Sequence, residues 1–248
     1  MSLLAIIPAR GGSKGIPGKN LVKVGGRSLV ARAVDAAKLA EVVTDIFVTT
    51  DDDAIAGECE AAGVPVAYRR PAHLAADETG MMEVVFDALD RFNDERGADP
   101  ESLVLLQPTC PFRSAEDIEG AWGVLEEGGH DSVVSVHEMR ESPYECVREN
   151  KDGYRMLADP GDTVRRQDYQ DNFHFINGAV YVARTEYVRR EKVLFREGET
   201  GLFHMDPLHG IDIDLPGDLL MAQALVDHPE FLDRLYAEDH HVHLTDVS

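Results

Sequence analysis

Short apolar segments alternate along the chain with longer segments in which apolar residues recur every three or four positions. Because strands covered on both faces are continuously apolar, the short segments predict the strands of a largely parallel sheet. Before residue 140 the strand candidates are LLAIIPA (3–9), DIFVTT (45–50), PVAYR (65–69), SLVLLQP (102–108) and DSVVSVHEM (131–139).

Helical periodicity fills the intervals between these segments. The predicted helices span residues 28–40, 53–62, 79–92 and 114–127. Ser28 is the expected N-cap of the first helix, and Ser114 opens the fourth ahead of the acidic pair Glu116 and Asp117, which suits a helix N-terminus. The alternation of strand and helix predicts an α/β fold with a Rossmann-like, doubly wound, mostly parallel sheet.

The pattern changes between residues 140 and 175, where the sequence is polar and contains Pro, Gly and Asp. Plain connections of this length are uncommon, so we predict a small hairpin insertion that serves the function or a subunit interface. Strands at 178–185 and 210–215 follow, and then an amphipathic helix from Pro216 to about Tyr236. The length fits a single domain, 1–248.

Charge is distributed unevenly. The chain has 24 Lys and Arg against 46 Asp and Glu, a net charge of −22 that disfavours nucleic acid and anionic membranes as partners. Nevertheless the first 34 residues contain no acidic residue, and we therefore expect them to bind an anion. Their basic residues are Arg10, Lys14, Lys19, Lys23, Arg27 and Arg32.

The cysteines and the hydropathy pattern suggest a compartment. Cys59, Cys110 and Cys146 are far apart and form no CxxC pair, so neither a disulfide framework nor a zinc site is expected. The apolar run before Arg10 is too short for a signal peptide, and no later segment is long enough to cross a bilayer. We expect a cytoplasmic enzyme in a reducing environment.

A glycine-rich loop follows the first predicted strand and carries three cations, Arg10, Lys14 and Lys19. Its glycines lack the spacing of the dinucleotide fingerprint, and Ser13 and Asn20 replace the Gly and the Ser/Thr that an ATPase P-loop requires. Three converging cations could still neutralise a triphosphate and the departing pyrophosphate. The alternative is a solvated basic loop, but the carboxyl end of a strand is where open α/β sheets bind ligands.

These residues resemble the acylneuraminate cytidylyltransferase (CMP-sialic acid synthetase) family. Six motifs in the family's order carry the resemblance over nearly the whole chain. They are IPARGGSKGIPGKN (7–20), TTDDDAIA (49–56), RPAHLAAD (70–77), LLQPTCPFR (105–113), RRQ with FINGAVYV (165–182), and IDID (211–214).

The resemblance implies a nucleotide-binding α/β domain with a smaller dimerisation element, here residues 140–175, and a homodimer. It implies Mg²⁺-dependent transfer of CMP from CTP to a nine-carbon 2-keto sugar acid, with release of pyrophosphate. The catalytic residues it implies are Arg10, Lys19 and Asp214. The nucleotide-binding residues it implies are Arg10, Gly11, Ser13, Lys14, Lys19, Asn20, Arg70 and Gln107.

Asp212 and Asp214 are the expected magnesium ligands. On a strand the two carboxylates would share a face while Ile213 points inward, and hard oxygen ligands suit Mg²⁺. Their spacing alone is equally compatible with solvated aspartates on an edge strand.

The acceptor-binding residues that the resemblance implies are Gln107, Arg165, Arg166, Phe175 and Asn177. Glu145 stands near the place where sialic-acid enzymes have a basic residue toward the sugar carboxylate, so Arg140, Arg148, Arg165 or Arg166 would supply that cation. The acceptor therefore stays open among sialic, legionaminic and pseudaminic acids, and the alternative is another anionic acceptor such as Kdo or a phosphonate.

Several residues have simpler interpretations. At least one of the aspartates 51–53 is expected to cap a helix, and Cys110 is expected to be a small residue in a tight turn rather than a reactive thiol. The histidines near residues 240–243 are expected to belong to a solvated tail. Two other classes compete with the enzyme: a non-catalytic nucleotide-binding protein, and an NAD-dependent oxidoreductase, which the glycine spacing disfavours.

Overall fold

The computed structural model describes residues 2–159, 161 and 172–228. Strands in these residues are β1 (Leu3–Pro8), β2 (Lys23–Val24), β3 (Arg27–Ser28), β4 (Asp45–Thr49), β5 (Ser102–Leu105), β6 (Ser132–Glu138), β7 (Val147–Asn150), β8 (Gly153–Met156), β9 (His174–Arg184) and β10 (Gly201–His204). Helices are α1 (Leu29–Leu39), α2 (Asp53–Ala61), α3 (Met81–Arg96), α4 (Ala115–Glu127), α5 (Thr185–Glu191) and α6 (Pro216–Asp227).

The central sheet has the strand order β10-β6-β9-β5-β1-β4 across the described residues. Strand β1 pairs in parallel with β4 and β5, and β10 pairs in parallel with β6. Only β9 runs antiparallel to its two neighbours, β5 and β6. The prediction of a mostly parallel α/β sheet is therefore confirmed.

Helices cover both faces of this sheet. Leu3, Ala5 and Ile7 of β1 are fully buried in one apolar cluster, which α1, α2 and α4 complete. The alternate residues Leu4 and Ile6 are fully buried in a second cluster, which α3 and α5 complete. Since successive side chains of a strand point to opposite faces, the continuous apolar run of β1 fills both layers.

The helix starts follow the predicted capping chemistry. The Ser28 side chain accepts a hydrogen bond from Ala31 N, and the Ser114 side chain accepts one from Asp117 N. Asp52 caps α2 by accepting from the backbone amides of the two residues that follow Asp53. Side-chain oxygens thus satisfy amide groups that have no partner within the helix.

Two predicted strands were wrong. Residues 65–69 and 210–215 contain no strand, although each has buried apolar side chains. Pro65 has no amide hydrogen to donate to a neighbouring strand. In residues 210–215, Ile213 N donates a hydrogen bond to Thr109 O, which lies in the turn after β5 and not in a strand. Burial in these segments comes from side-chain packing without a sheet partner.

Other boundaries also differ from the prediction. Helix α3 starts and ends later than the predicted 79–92, and β9 is longer than the predicted 178–185. Helix α6 is described only as far as Asp227, so its predicted continuation to Tyr236 lies outside the described residues. Strand β10 and helix α5 were not predicted, because both are short and the four residues of β10 lie at a sheet edge.

The predicted insertion contains an antiparallel hairpin of β7 and β8, whose residues are all exposed. Its role in dimerisation stays a prediction. In the part of the chain that the structure describes, no helix has the length and apolar character needed to cross a membrane.

Candidate active site

A cleft of about 530 Å³ opens at the carboxyl ends of β1 and β5. The glycine-rich loop forms one wall, and residues 70–84 form another. Asp214 and Thr109 lie at the third side. Of the predicted nucleotide-binding residues, those lining the cleft are Arg10, Ser13, Lys14, Lys19, Asn20, Arg70 and Gln107.

The cleft joins two residues that are 195 positions apart in the sequence, Lys19 and Asp214. Lys19 Nζ donates a hydrogen bond to Asp214 Oδ1 at 2.9 Å, and the Lys19 side chain is 16% exposed while that of Asp214 is 69% exposed. The cation is thus held by the protein, and the carboxylate keeps a free side toward the cleft.

Apolar packing explains why these two segments meet. Ile16 from the loop and Ile213 from the extended segment are both buried in one small cluster with Val24, Leu29 and Ala222. Asp214 directly follows Ile213, and Lys19 follows Ile16 by three positions, so burial of the two isoleucines brings Lys19 and Asp214 close together.

Backbone geometry of the loop adds to this arrangement. Gly18 has φ +62°, the left-handed conformation that glycine adopts without strain, and it precedes a 3-10 turn that begins at Lys19. Buried Asn20 donates from Nδ2 to Arg10 O at 2.9 Å, which folds the loop back on itself. A Cβ on Gly15 would lie 2.6 Å from the carbonyl oxygen of Asp214, so the close approach requires glycine.

Asp77 joins the other two loop cations. Its Oδ1 lies 2.8 Å from Arg10, and its Oδ2 lies 2.7 Å from Lys14. The hydrogen bond from Lys14 and then that from Arg10 hold the pKa of the Asp77 carboxyl below its usual value. Sequence reasoning gave Asp77 no role, and the only signal was its place at the end of the motif that begins with Arg70.

Arg70 lies deep in the wall of the cleft and is 5% exposed. Burial lowers the pKa of its guanidinium, and the charge of Asp51, 4.0 Å away, opposes that effect. Within the described residues Arg70 Nε has no hydrogen-bond partner, which suits a polar ligand group. Gly11, the eighth predicted nucleotide residue, instead donates its amide to Asp51.

Asp212 lies beside the cleft, with its Oδ1 4.0 Å from Cys110 Sγ. Although the residue keeps exposed surface, desolvation by the surrounding protein raises the pKa of its carboxyl, and the charge of Asp214 raises it further. A hydrogen bond with Thr109 acts in the opposite direction. The carboxylates of Asp212 and Asp214 fit a magnesium ion, which binds through one or two carboxylates plus substrate phosphate.

Cys110 is 3% exposed, and burial, followed by the charge of Asp212, raises the pKa of its thiol to about 12. The thiol therefore stays protonated at neutral pH, which agrees with the interpretation of a small residue in a tight turn. All three cysteines of the chain are free.

The predicted acceptor residues Phe175 and Asn177 lie near the start of β9. Buried Asn177 accepts hydrogen bonds at Oδ1 from Ser135 Oγ and Ala179 N, and its Nδ2 lies 3.3 Å from His137 Nδ1. Phe175 is 53% exposed and lies against the His137 ring. The contacts of these residues with an acceptor stay predictions. Arg165 and Arg166 lie outside the described residues.

Comparison with known proteins shows the family of this chain. The family model described as cytidylyltransferase matches residues 4–196. A CMP-N,N'-diacetyllegionaminic acid synthase of Legionella pneumophila is 32% identical over 92% of this chain and 97% of its own length. An N-acylneuraminate cytidylyltransferase of Streptococcus agalactiae is also 32% identical, over 89% of this chain, and the chain spans about half (52%) of that relative's length.

Solved structures support the fold. A CMP:2-keto-3-deoxy-manno-octonic acid synthetase complexed with CTP superposes with a TM-score of 0.67 at 17% identity, over 92% of this chain and 100% of the other. A 4-diphosphocytidyl-2C-methyl-D-erythritol synthase of Anaerococcus prevotii gives a TM-score of 0.64 at 16% identity, over 91% and 96%. Because the family model matches residues 4–196, this chain belongs to the cytidylyltransferase family.

Proposed function

We propose that the protein transfers CMP from CTP to the anomeric hydroxyl of a nonulosonic 2-keto sugar acid and releases pyrophosphate. The observation that carries this proposal is the meeting of the cationic loop with Asp214 in one cleft, through the 2.9 Å contact of Lys19. The names of the relatives from Legionella and Streptococcus support the acceptor class.

The loop supplies the charge that a triphosphate needs. Arg10, Lys14 and Lys19 all line the cleft, so their charges converge on the place where the phosphates would lie. When the acceptor oxygen attacks the α-phosphorus, it forms a new bond to that phosphorus and its proton is released to solvent. The bond between the α-phosphorus and the bridging oxygen breaks, and negative charge grows on the departing pyrophosphate. Cations fixed beforehand lower the barrier because they stabilise that charge without reorganising.

Magnesium would be held by Asp212 and Asp214. Bound there, it would polarise the α-phosphate as a Lewis acid. Lys19 holds Asp214 in a defined position, and the Asp214 side chain, which is 69% exposed, lines the cleft. Asp212 is kept in place beside Thr109 and Cys110.

The acceptor and the assembly extend this proposal. A 2-keto acid presents a carboxylate, for which a bidentate arginine is the best geometric match, and Arg140 and Arg148 are the described candidates. Exposed Val147, Tyr154 and Met156 on the β7–β8 hairpin support a homodimer in which this hairpin covers a second subunit. The three free cysteines support the expected cytoplasmic location.

A product assay by mass tests the proposal. The protein is incubated with Mg²⁺, each of the four ribonucleoside triphosphates and a panel of sialic, legionaminic and pseudaminic acids and Kdo. We expect pyrophosphate release and a CMP-sugar with CTP and a nine-carbon acid, and a loss of at least about a hundredfold in Asp214→Asn. Asp35→Asn, at an exposed pair with Arg27, is the matched control. Turnover with another triphosphate in preference to CTP, or silence across the panel, contradicts the proposal.

A further inference from the structure

Three consecutive carbonyl oxygens of β9 accept hydrogen bonds from the side chains of a single turn. Cys110 Sγ lies 3.8 Å from Asn177 O, and Gln107 Nε2 donates to Gly178 O at 3.3 Å. Arg113 completes the set by donating to the next carbonyl, that of Ala179, at 2.9 Å. The turn after β5 is thus attached to β9 residue by residue.

This attachment begins where the sheet ladder ends. The last register pair of β5 and β9 joins Leu105 to Tyr181, and the pairing of β9 with β6 shifts between Val134 and Val136. Carbonyls just before Tyr181 therefore lack a β5 partner, and buried carbonyls without a donor are costly. Gly178, at φ +78°, allows the chain to bend at this point.

Arg113 has the strongest of these contacts. One nitrogen, Nη1, donates both to Ala179 O and, at 3.0 Å, to Gln107 O, so the guanidinium connects the strand-end turn to β9. The residue is 5% exposed, and no carboxylate of the described residues lies within ion-pair distance of it. Burial lowers the pKa of its guanidinium, and the charge of Asp117 opposes that effect.

We propose that Arg113 is a positioning residue that fixes the distance between the nucleotide wall of the cleft, at Gln107, and the acceptor wall, at Asn177 and Gly178. A buried cation bound by carbonyls on two segments holds both segments, since either carbonyl that moves leaves charge unsolvated. The loop cations that would bind the triphosphate do not touch Arg113. The role in catalysis rests on the proposed function.

Steady-state kinetics of Arg113→Met separate positioning from mere stability. We expect the KM for the sugar acid to rise and kcat to fall, with kcat/KM down about tenfold to a hundredfold, while the dissociation constant of CTP changes less than about twofold. Arg113→Lys, which keeps the charge and donors, should recover part of the loss. Arg184→Met is the matched control, because Arg184 lies at the opposite ends of β5 and β9, near Ser102.

Amide hydrogen exchange does not depend on turnover, so it can be measured even for a poorly active variant. In Arg113→Met we expect faster exchange in peptides from 105–114 and 174–181 and unchanged exchange in 3–20. Unaltered kinetics per folded molecule, an equal loss of CTP affinity, or a uniform rise in exchange overturns the inference. Inactivity of the wild-type protein with every acid contradicts the proposed function instead, and the exchange result then decides the inference alone.

Discussion

Replacement of Gly15 by alanine tests how closely the cationic loop and the Asp214 segment approach each other. The added Cβ would lie 2.6 Å from Asp214 O, whereas ordinary contacts begin at 3.4 Å. One of the two segments must therefore move by about 0.8 Å, and the obstacle is backbone, which cannot rotate away as a side chain would.

A displacement of this size acts on the geometry between Lys19 and Asp214. Misplacement by about 1 Å costs on the order of a hundredfold in rate, so we expect kcat/KM for CTP to fall by about tenfold to a hundredfold in Gly15→Ala. Overpacking adds a stability loss of about 1–3 kcal/mol. Both quantities are measurable, the first by pyrophosphate release and the second by chemical denaturation.

Gly12 supplies the matched control. It lies in the same loop, and a Cβ placed on it meets no atom within 4 Å. Gly12→Ala should therefore keep wild-type rates and stability. If Gly15→Ala is as active as Gly12→Ala, the loop and Asp214 do not pack as the structure describes, and the reasoning about the site is refuted.

Three further predictions concern charge and reactivity. Asp77→Asn removes the carboxylate that competes with phosphate for two loop cations, so CTP should bind about fivefold tighter by calorimetry at low salt; weaker binding would contradict this. Iodoacetamide should alkylate half-buried Cys146 before the two buried cysteines, as peptide mass mapping can show. His209 Nδ1 lies 2.7 Å from Asp117 Oδ2, and the interaction with this carboxylate raises the pKa of the histidine above its usual value, partly opposed by burial. The stabilisation by this pair should be complete below about pH 6.5 and should vanish as the pH rises through the pKa of His209 in the folded protein. The substitution His209→Gln should therefore lower the free energy of unfolding by about 1–2 kcal/mol near pH 6 and by much less near pH 9. An equal loss at both pH values would refute this prediction.

Continuous apolar runs predicted the central strands well, because strands buried on both faces have few other interpretations. The same signal failed at residues 65–69, where Val66 is buried without any sheet partner. A run of apolar residues indicates that a segment is buried, but it does not show whether the segment pairs with another strand. Short β10 at the sheet edge had too little pattern to be recognised.

The candidate site was predicted in a different way. Clustered charge indicated an anion site, but the assignment of Lys19 and Asp214 to one catalytic site came from the resemblance. Nothing local in the sequence marks Ile16 and Ile213 as packing partners. Asp77 and Arg113 were missed because their roles depend on tertiary contacts. An acidic residue in a motif does not reveal which cation it will meet.

The affinity of CTP with and without magnesium shows directly whether the triphosphate and its metal lie between the loop and Asp214. Calorimetric titrations in Mg²⁺ and in EDTA are compared between the wild-type protein and Asp214→Asn. We expect Mg²⁺ to tighten CTP binding at least about tenfold in the wild type and by much less in the variant. Wild-type CTP binding that is indifferent to Mg²⁺, or an equal magnesium effect in both proteins, would contradict the claim that the triphosphate and its metal lie between the loop and Asp214.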